Sequence, residues 1–170
     1  MRSSEIYKKT QLLLQKSKTR NPFCIAEDNG LHIRFCDDFK QLKGMYLVIK
    51  KNRFIFINSN LPEYLQKIVC AHELGHDILH RHLAESAAIK EFMLYAMSSR
   101  PEYEANIVAA DILLDDKEIY ELARVGHTNK HIAYELNTDI NLIKIKINSM
   151  NNRGYKLNLQ TKPPADFLKG

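Results

Sequence analysis

The chain has 170 residues, with 25 Lys and Arg against 20 Asp and Glu, a net charge of +5 and an ordinary globular share of apolar side chains. That length allows one hydrophobic core without covalent staples, and no apolar run approaches the roughly eighteen residues that read as a membrane span. Met1-Arg2-Ser3-Ser4 leads into an amphipathic stretch rather than the apolar centre of a signal peptide, so a cytoplasmic protein without membrane association is expected.

Residues 5–18, with Ile6, Leu12, Leu13 and Leu14 among lysines and glutamines, predict an amphipathic helix that ends before Asn21-Pro22. Pro22 to Asn29 predicts a short helical turn closed by Gly30, and Leu31 to Phe35 alternates as a strand. Asp37, Asp38 and Gly44 mark turns. Met45–Ile49 and Phe54–Ile57 are β-rich runs separated by Lys50-Lys51-Asn52-Arg53, the pattern of an antiparallel hairpin.

Asn58-Ser59-Asn60 before Pro62 starts a longer helix, expected from about residue 61 to residue 80. Residues 83–98 are amphipathic but irregular. Ser98-Ser99-Arg100-Pro101 begins another helix over about 102–114, and Asp115-Asp116 opens a pair of short helices. The tail from Asn151, including Pro163-Pro164, lacks a strong pattern.

Within the long helix lies His72-Glu73-Leu74-Gly75-His76. Residues four apart stand one above the other on a helix, so both imidazoles can reach one metal ion. This H-E-x-x-H spacing is that of zinc peptidases, in which the metal acidifies a water and the intervening glutamate takes its proton. The alternative is a pair of surface histidines met by chance. Against it, Leu65, Ile68 and Val69 lead into the same face, which makes the histidines part of a buried stripe where polar groups need partners.

A catalytic zinc takes a third protein ligand. His82 stands where the metzincin pattern has its last histidine, but that pattern needs a glycine at the turn, where this chain has Leu79. His80 would need the helix to bend. Glu102 is the stronger candidate. It shares a helical face with Ala105, Asn106, Ala109 and Leu113, suited to close packing on the motif helix, whereas Glu104 shares one with Asp111 and Asp115 that reads as solvated. Glu102 can also be read as the capping-box glutamate of Ser99-Arg100-Pro101-Glu102. Asn106 can be a plain buried amide or can accept the N–H of a ligand histidine and fix its tautomer. With His72, His76 and Glu102 as ligands and Glu73 as general base, the set is gluzincin-like. Oxyanion stabilisation remains open among Tyr95, Tyr103, His80, His82 and His127. The three cysteines, Cys24, Cys36 and Cys70, lack C-x-x-C spacing and read as reduced thiols outside any metal site.

His72-Glu73-Leu74-Gly75-His76 followed by Glu102-x-Glu104-Ala105-Asn106-x-x-Ala109-Ala110-x-x-Leu113-Leu114 resembles the ImmA/IrrE family of zinc metallopeptidases, over roughly residues 20 to 150. The resemblance implies Zn2+ as cofactor and Glu102 as third ligand. It departs where the family usually continues Leu-Leu-Met-Pro, since Leu114 is followed by Asp115-Asp116. It also implies a protein substrate, a helix-turn-helix repressor of a phage or other mobile element, with the chain acting as a stand-alone anti-repressor. An anti-repressor that works by binding alone is the alternative.

The fold class expected is α+β, a small antiparallel sheet packed on a zincin-like helical core with a helix-turn-helix-like pair at the carboxyl end. Residues 1–116 would form the peptidase core, 117–150 a helical subdomain packed on it, and 151–170 a tail. Thr128 to Lys144 has the rhythm of a helix-turn-helix, but its second helix carries Lys144 and Lys146 without the arginines that usually read guanine. Direct nucleic-acid binding is therefore not expected, and the basic pair is read as a docking surface for substrate. Nothing in the sequence speaks to oligomeric state.

Overall fold

The computed structural model describes residues 1–95 and 97–157. The chain begins with α1 (Ser3–Ser17), which buries Ile6, Thr10 and Leu14, one residue per turn, and stops at Lys18 in the left-handed conformation. Helix α2 (Pro22–Asp28) starts where the Asn21 side chain accepts the Phe23 N–H and a proline occupies its first turn.

A four-stranded sheet follows, in the order β1 (Leu31–Cys36), β3 (Asn52–Asn58), β2 (Gly44–Ile49), β4 (Ile89–Glu91). Strands β2 and β3 form the expected hairpin, closed by Lys50 and Lys51 at φ 48° and 69°. Two successive positive φ angles suit the right-handed twist of a tight hairpin, and Asn52 and Arg53 therefore belong to β3 rather than to the turn. The sheet is mixed, not antiparallel as expected. Residues 37–43 carry the chain past the place that β3 later fills, so β3 lies between β1 and β2 and runs parallel to β1. Alternation marks a strand but carries no direction, and β4, only three residues long, has no such pattern to find.

The sheet, with Tyr46, Ile55 and Ile57 buried, packs on the long helix α3 (Glu63–Ala84), where Val69 lies against β2 at Gly44. Helix α3 in turn packs on α4 (Arg100–Leu113). The remaining helices are α5 (Asp116–Arg124), α6 (Asn129–Glu135) and α7 (Ile140–Asn152), and α7 lies against α4 and α6. No helix among the described residues is long and apolar enough to cross a membrane.

Three charged residues sit where the helical faces did not place them. Lys146, read as part of a basic docking surface, is fully buried, with Nζ 2.8 Å from Asp111 Oδ1 and 2.7 Å from Asp116 Oδ1. Asp111, read as solvated, is its buried partner in the seam between α4 and α7. Glu104 is also buried, against His80 of α3. A helix packed on several sides has no solvated face, so a polar stripe on it signals paired charges. Of the tail, Asn151 exchanges two hydrogen bonds with the Leu157 backbone, and Pro163-Pro164 lies outside the described residues.

Candidate metal centre

Helix α3 supplies both histidines. His72 and His76 stand one turn apart with Nε2 atoms 3.0 Å from each other, both buried. The rotation of the helix is set one residue later, at buried Asp77. Its carboxylate accepts from the Tyr46 hydroxyl of β2 at 2.6 Å, from Arg53 Nη1 of β3 at 2.8 Å and from Arg81 Nη2 of α3 at 3.1 Å, which ties the helix to the sheet.

Helix α4 supplies the carboxylate. Ser99 caps it by accepting the Glu102 N–H, but the Glu102 side chain does not close a capping box; it turns toward α3. There Oε2 lies 3.2 Å from His72 Nε2 and Oε1 lies 3.6 Å from His76 Nε2. Such an approach requires the helices to cross closely, and they do so at Gly75, where an added Cβ would meet the Ala105 Cα at 2.8 Å. A second glycine, Gly44, opens β2 rather than marking a turn. A Cβ there would meet Glu73 Oε1 at 2.8 Å, so the strand lies directly against Glu73.

One ligand atom from each of His72, His76 and Glu102 falls within 4.8 Å of the others, the convergence a single ion needs. Two imidazoles and a carboxylate are a donor set for zinc and similar divalent ions. Charge favours a cation as well. Glu102, Glu73 and the buried Glu91 of β4, whose Oε2 is 3.1 Å from His72 Nε2, gather around the two rings. Burial works against a charged His72, yet hydrogen bonds that Glu102 and Glu91 accept from it raise its pKa to about 10, so the place attracts positive charge. Glu73 is fully buried with neither oxygen hydrogen-bonded, and burial, reinforced by the neighbouring carboxylates, pushes its pKa up to about 8. An orphaned carboxylate of this kind is suited to exchanging a proton inside the site.

Both histidines are held from behind. His72 Nδ1 is 3.0 Å from Asn106 Oδ1, so an N–H there donates to the amide oxygen. His76 Nδ1 faces His80 Nδ1 at 3.3 Å, and His80 Nε2 faces Glu104 Oε2 at 3.1 Å. The other oxygen of Glu104 accepts from Arg100 Nε at 2.9 Å and from the Met1 amino group. Burial works to raise Glu104, but hydrogen bonds from these three groups hold it at about 2.

Among the remaining candidates, His82 is exposed and outside the cluster. Tyr103 accepts from Asn148 of α7, and His127 packs its ring on His131. Cys24 is exposed, Cys36 half-buried and Cys70 buried, all free thiols. Sequence reasoning missed Glu91, which sits in the irregular stretch, and the His80–Glu104 pair. The signal for the pair was present in the two polar residues themselves, one on each of two helices already expected to pack.

Residues 26–148 match the family model of the IrrE N-terminal-like domain, peptidase M78. The chain belongs to this family. The metallopeptidase ImmA of Bacillus subtilis (strain 168) is 29% identical over 162 residues, covering 90% of this chain and 92% of the relative. The uncharacterized immunity region protein 2 of Bacillus phage phi105 is 34% identical over 123 residues, covering 72% of this chain and 77% of the relative. As an M78 peptidase the chain is expected to hold a metal, and the cluster of His72, His76 and Glu102 is where its donors converge.

Proposed function

We propose that this M78 chain is a zinc-dependent endopeptidase that cleaves a helix-turn-helix repressor of a phage or mobile element and so relieves repression. The observation that carries the enzymatic half is the convergence of His72, His76 and Glu102 beside a buried, unpartnered Glu73. The choice of substrate rests on the ImmA/IrrE resemblance and is supported by a relative from a phage immunity region.

In this reading His72 and His76 would hold zinc through Nε2 and Glu102 through a carboxylate oxygen, a gluzincin-like set. The ion, when bound, supplies Lewis acidity to water and to the scissile carbonyl. Glu73 accepts the proton of the attacking water on its carboxylate and delivers it to the departing amine nitrogen. Its burial suits this traffic, because neither carboxylate oxygen is tied up by another protein group. Asn106 keeps the His72 ring in the orientation and tautomer that leave Nε2 available.

Residues 117–150 are proposed to dock the substrate beside this core. Their surface carries exposed Val125 and Tyr134, at 67% and 83%, whereas Lys146 is committed to buried ion pairs. The exposed valine and tyrosine suit a protein partner. The test is elemental analysis of the purified protein together with cleavage of the partner repressor by wild type and by Glu73→Gln. One zinc per chain and cleavage by wild type alone are expected; a folded protein that takes up no zinc would remove the enzymatic reading.

A further inference from the structure

His80 is the point at which α3 departs from helical geometry, with φ −132° and ψ 21° in a helix otherwise continuous from Glu63 to Ala84. The departure turns the imidazole inward, where it is 5% exposed and both ring nitrogens meet polar atoms. On one side Nε2 is 3.1 Å from Glu104 Oε2, and on the other Nδ1 is 3.3 Å from His76 Nδ1. His82, two residues on, is exposed and joins neither contact.

The protons in this chain of contacts can be counted. Glu104 as carboxylate only accepts, so His80 Nε2 carries the hydrogen. In a neutral imidazole the other nitrogen is then an acceptor, which makes His80 Nδ1 the acceptor for His76 Nδ1–H. That leaves the His76 Nε2 lone pair directed at His72 and Glu102, where a metal ligand must direct it. The opposite tautomer of His80 sets a lone pair against the Glu104 carboxylate and places a hydrogen on His76 Nε2, in the way of any ion.

We propose that His80, held by Glu104, is a positioning residue that fixes His76 in its Nδ1-protonated tautomer and so presents Nε2 to the metal. It does for His76 what Asn106 does for His72. It rests on the metallopeptidase reading of the same site and adds a role to the second glutamate of Glu102-x-Glu104.

The experiment measures zinc affinity of the full chain by competition with a chelating indicator, with thermal unfolding of each metal-free variant alongside. His80→Phe keeps ring volume without a nitrogen, and His80→Gln keeps an acceptor in the side chain. Loss of an outer partner of a metal ligand typically weakens binding about 10–100-fold, and that loss is expected for His80→Phe, with His80→Gln recovering most of it. Glu104→Ala, which frees His80 to take either tautomer, is expected to weaken zinc in the same direction and carries the test if His80→Phe does not fold. Wild-type affinity in folded His80→Phe or Glu104→Ala, or equal loss in His80→Phe and His80→Gln, would overturn the inference. A wild-type chain that takes up no zinc overturns the underlying reading, and this one with it.

Discussion

Gly75 and Ala105 meet where α3 crosses α4, so closely that a Cβ on Gly75 would lie 2.8 Å from Ala105 Cα and 3.0 Å from its carbonyl oxygen. The same crossing brings Glu102 within reach of His72, so the glycine links packing to the metal centre. Gly75→Ala would gain about 1 kcal/mol of helix propensity in isolation. Here the added methyl meets backbone, which cannot rotate away, and overpacking of this kind costs roughly 1–3 kcal/mol. A net loss of stability is expected, with weaker zinc binding as the helices part. Chemical denaturation of metal-free protein and chelator competition measure the two effects separately; a more stable variant with unchanged affinity would show that the crossing has slack.

His76→Ala and Glu102→Ala are each expected to lose zinc in mass analysis, while His82→Ala retains a full complement, since His82 lies outside the cluster. An empty site in His82→Ala with a full one in Glu102→Ala would instead assign the third ligand to the end of α3.

Much of this centre was legible in the sequence because it depends on helical spacing. His72 and His76 had to share a face, and the apolar residues beside Glu102 placed that glutamate toward α3. Asn106, one turn on, followed from the same periodicity. What spacing could not supply was anything set by a third layer. Opposite faces of α4 do not have opposite environments: Glu104 meets His80 of α3 and the Met1 amino group, and Asp111 meets Lys146 of α7. Glu91 was invisible for another reason: three residues of β4 are held by pairing with β2, not by their own pattern. The parallel pairing of β1 with β3 likewise arises from a crossing that no local run encodes.

The buried seam behind α4 predicts an acid response. Asp116 accepts from Arg153 and Lys146, which outweigh burial and lower its pKa from 3.8 to about 2. Asp111, on the same lysine but fully buried, is shifted upward because desolvation wins there. A depressed carboxylate contributes stability that is complete above its unfolded pKa and disappears as pH falls through the folded one. For Asp116 that window runs from 3.8 down to about 2. The contribution at neutral pH is on the order of 2 kcal/mol. Asp116→Asn is expected to be destabilised by that order at neutral pH, with the gap to wild type closing toward about pH 2. Urea unfolding across the range measures it, and a gap that stays constant with pH would mean the carboxylate charge is not its source.

A peptidase acting on any exposed loop would be harmful, so selectivity must come from a groove that accepts an extended segment and from a second contact that brings the right segment there. The edge strand β4, through Glu91, borders the cluster of His72, His76 and Glu102, and Val125 at the end of α5 and Tyr134 of α6 are exposed on the part of the chain proposed to dock. Cleavage between the DNA-binding and oligomerisation parts of a helix-turn-helix repressor abolishes cooperative operator binding, because dimers gain affinity by engaging two half-sites together. On co-expression the repressor should therefore appear as a shorter fragment with wild type and stay intact with Glu73→Gln. Tyr134→Ala combined with Val125→Asp should slow cleavage while retaining zinc, since neither residue belongs to the metal cluster. If Glu73→Gln inactivates the repressor as well as wild type does, with the repressor uncut, the chain acts by binding and hydrolysis is not its means.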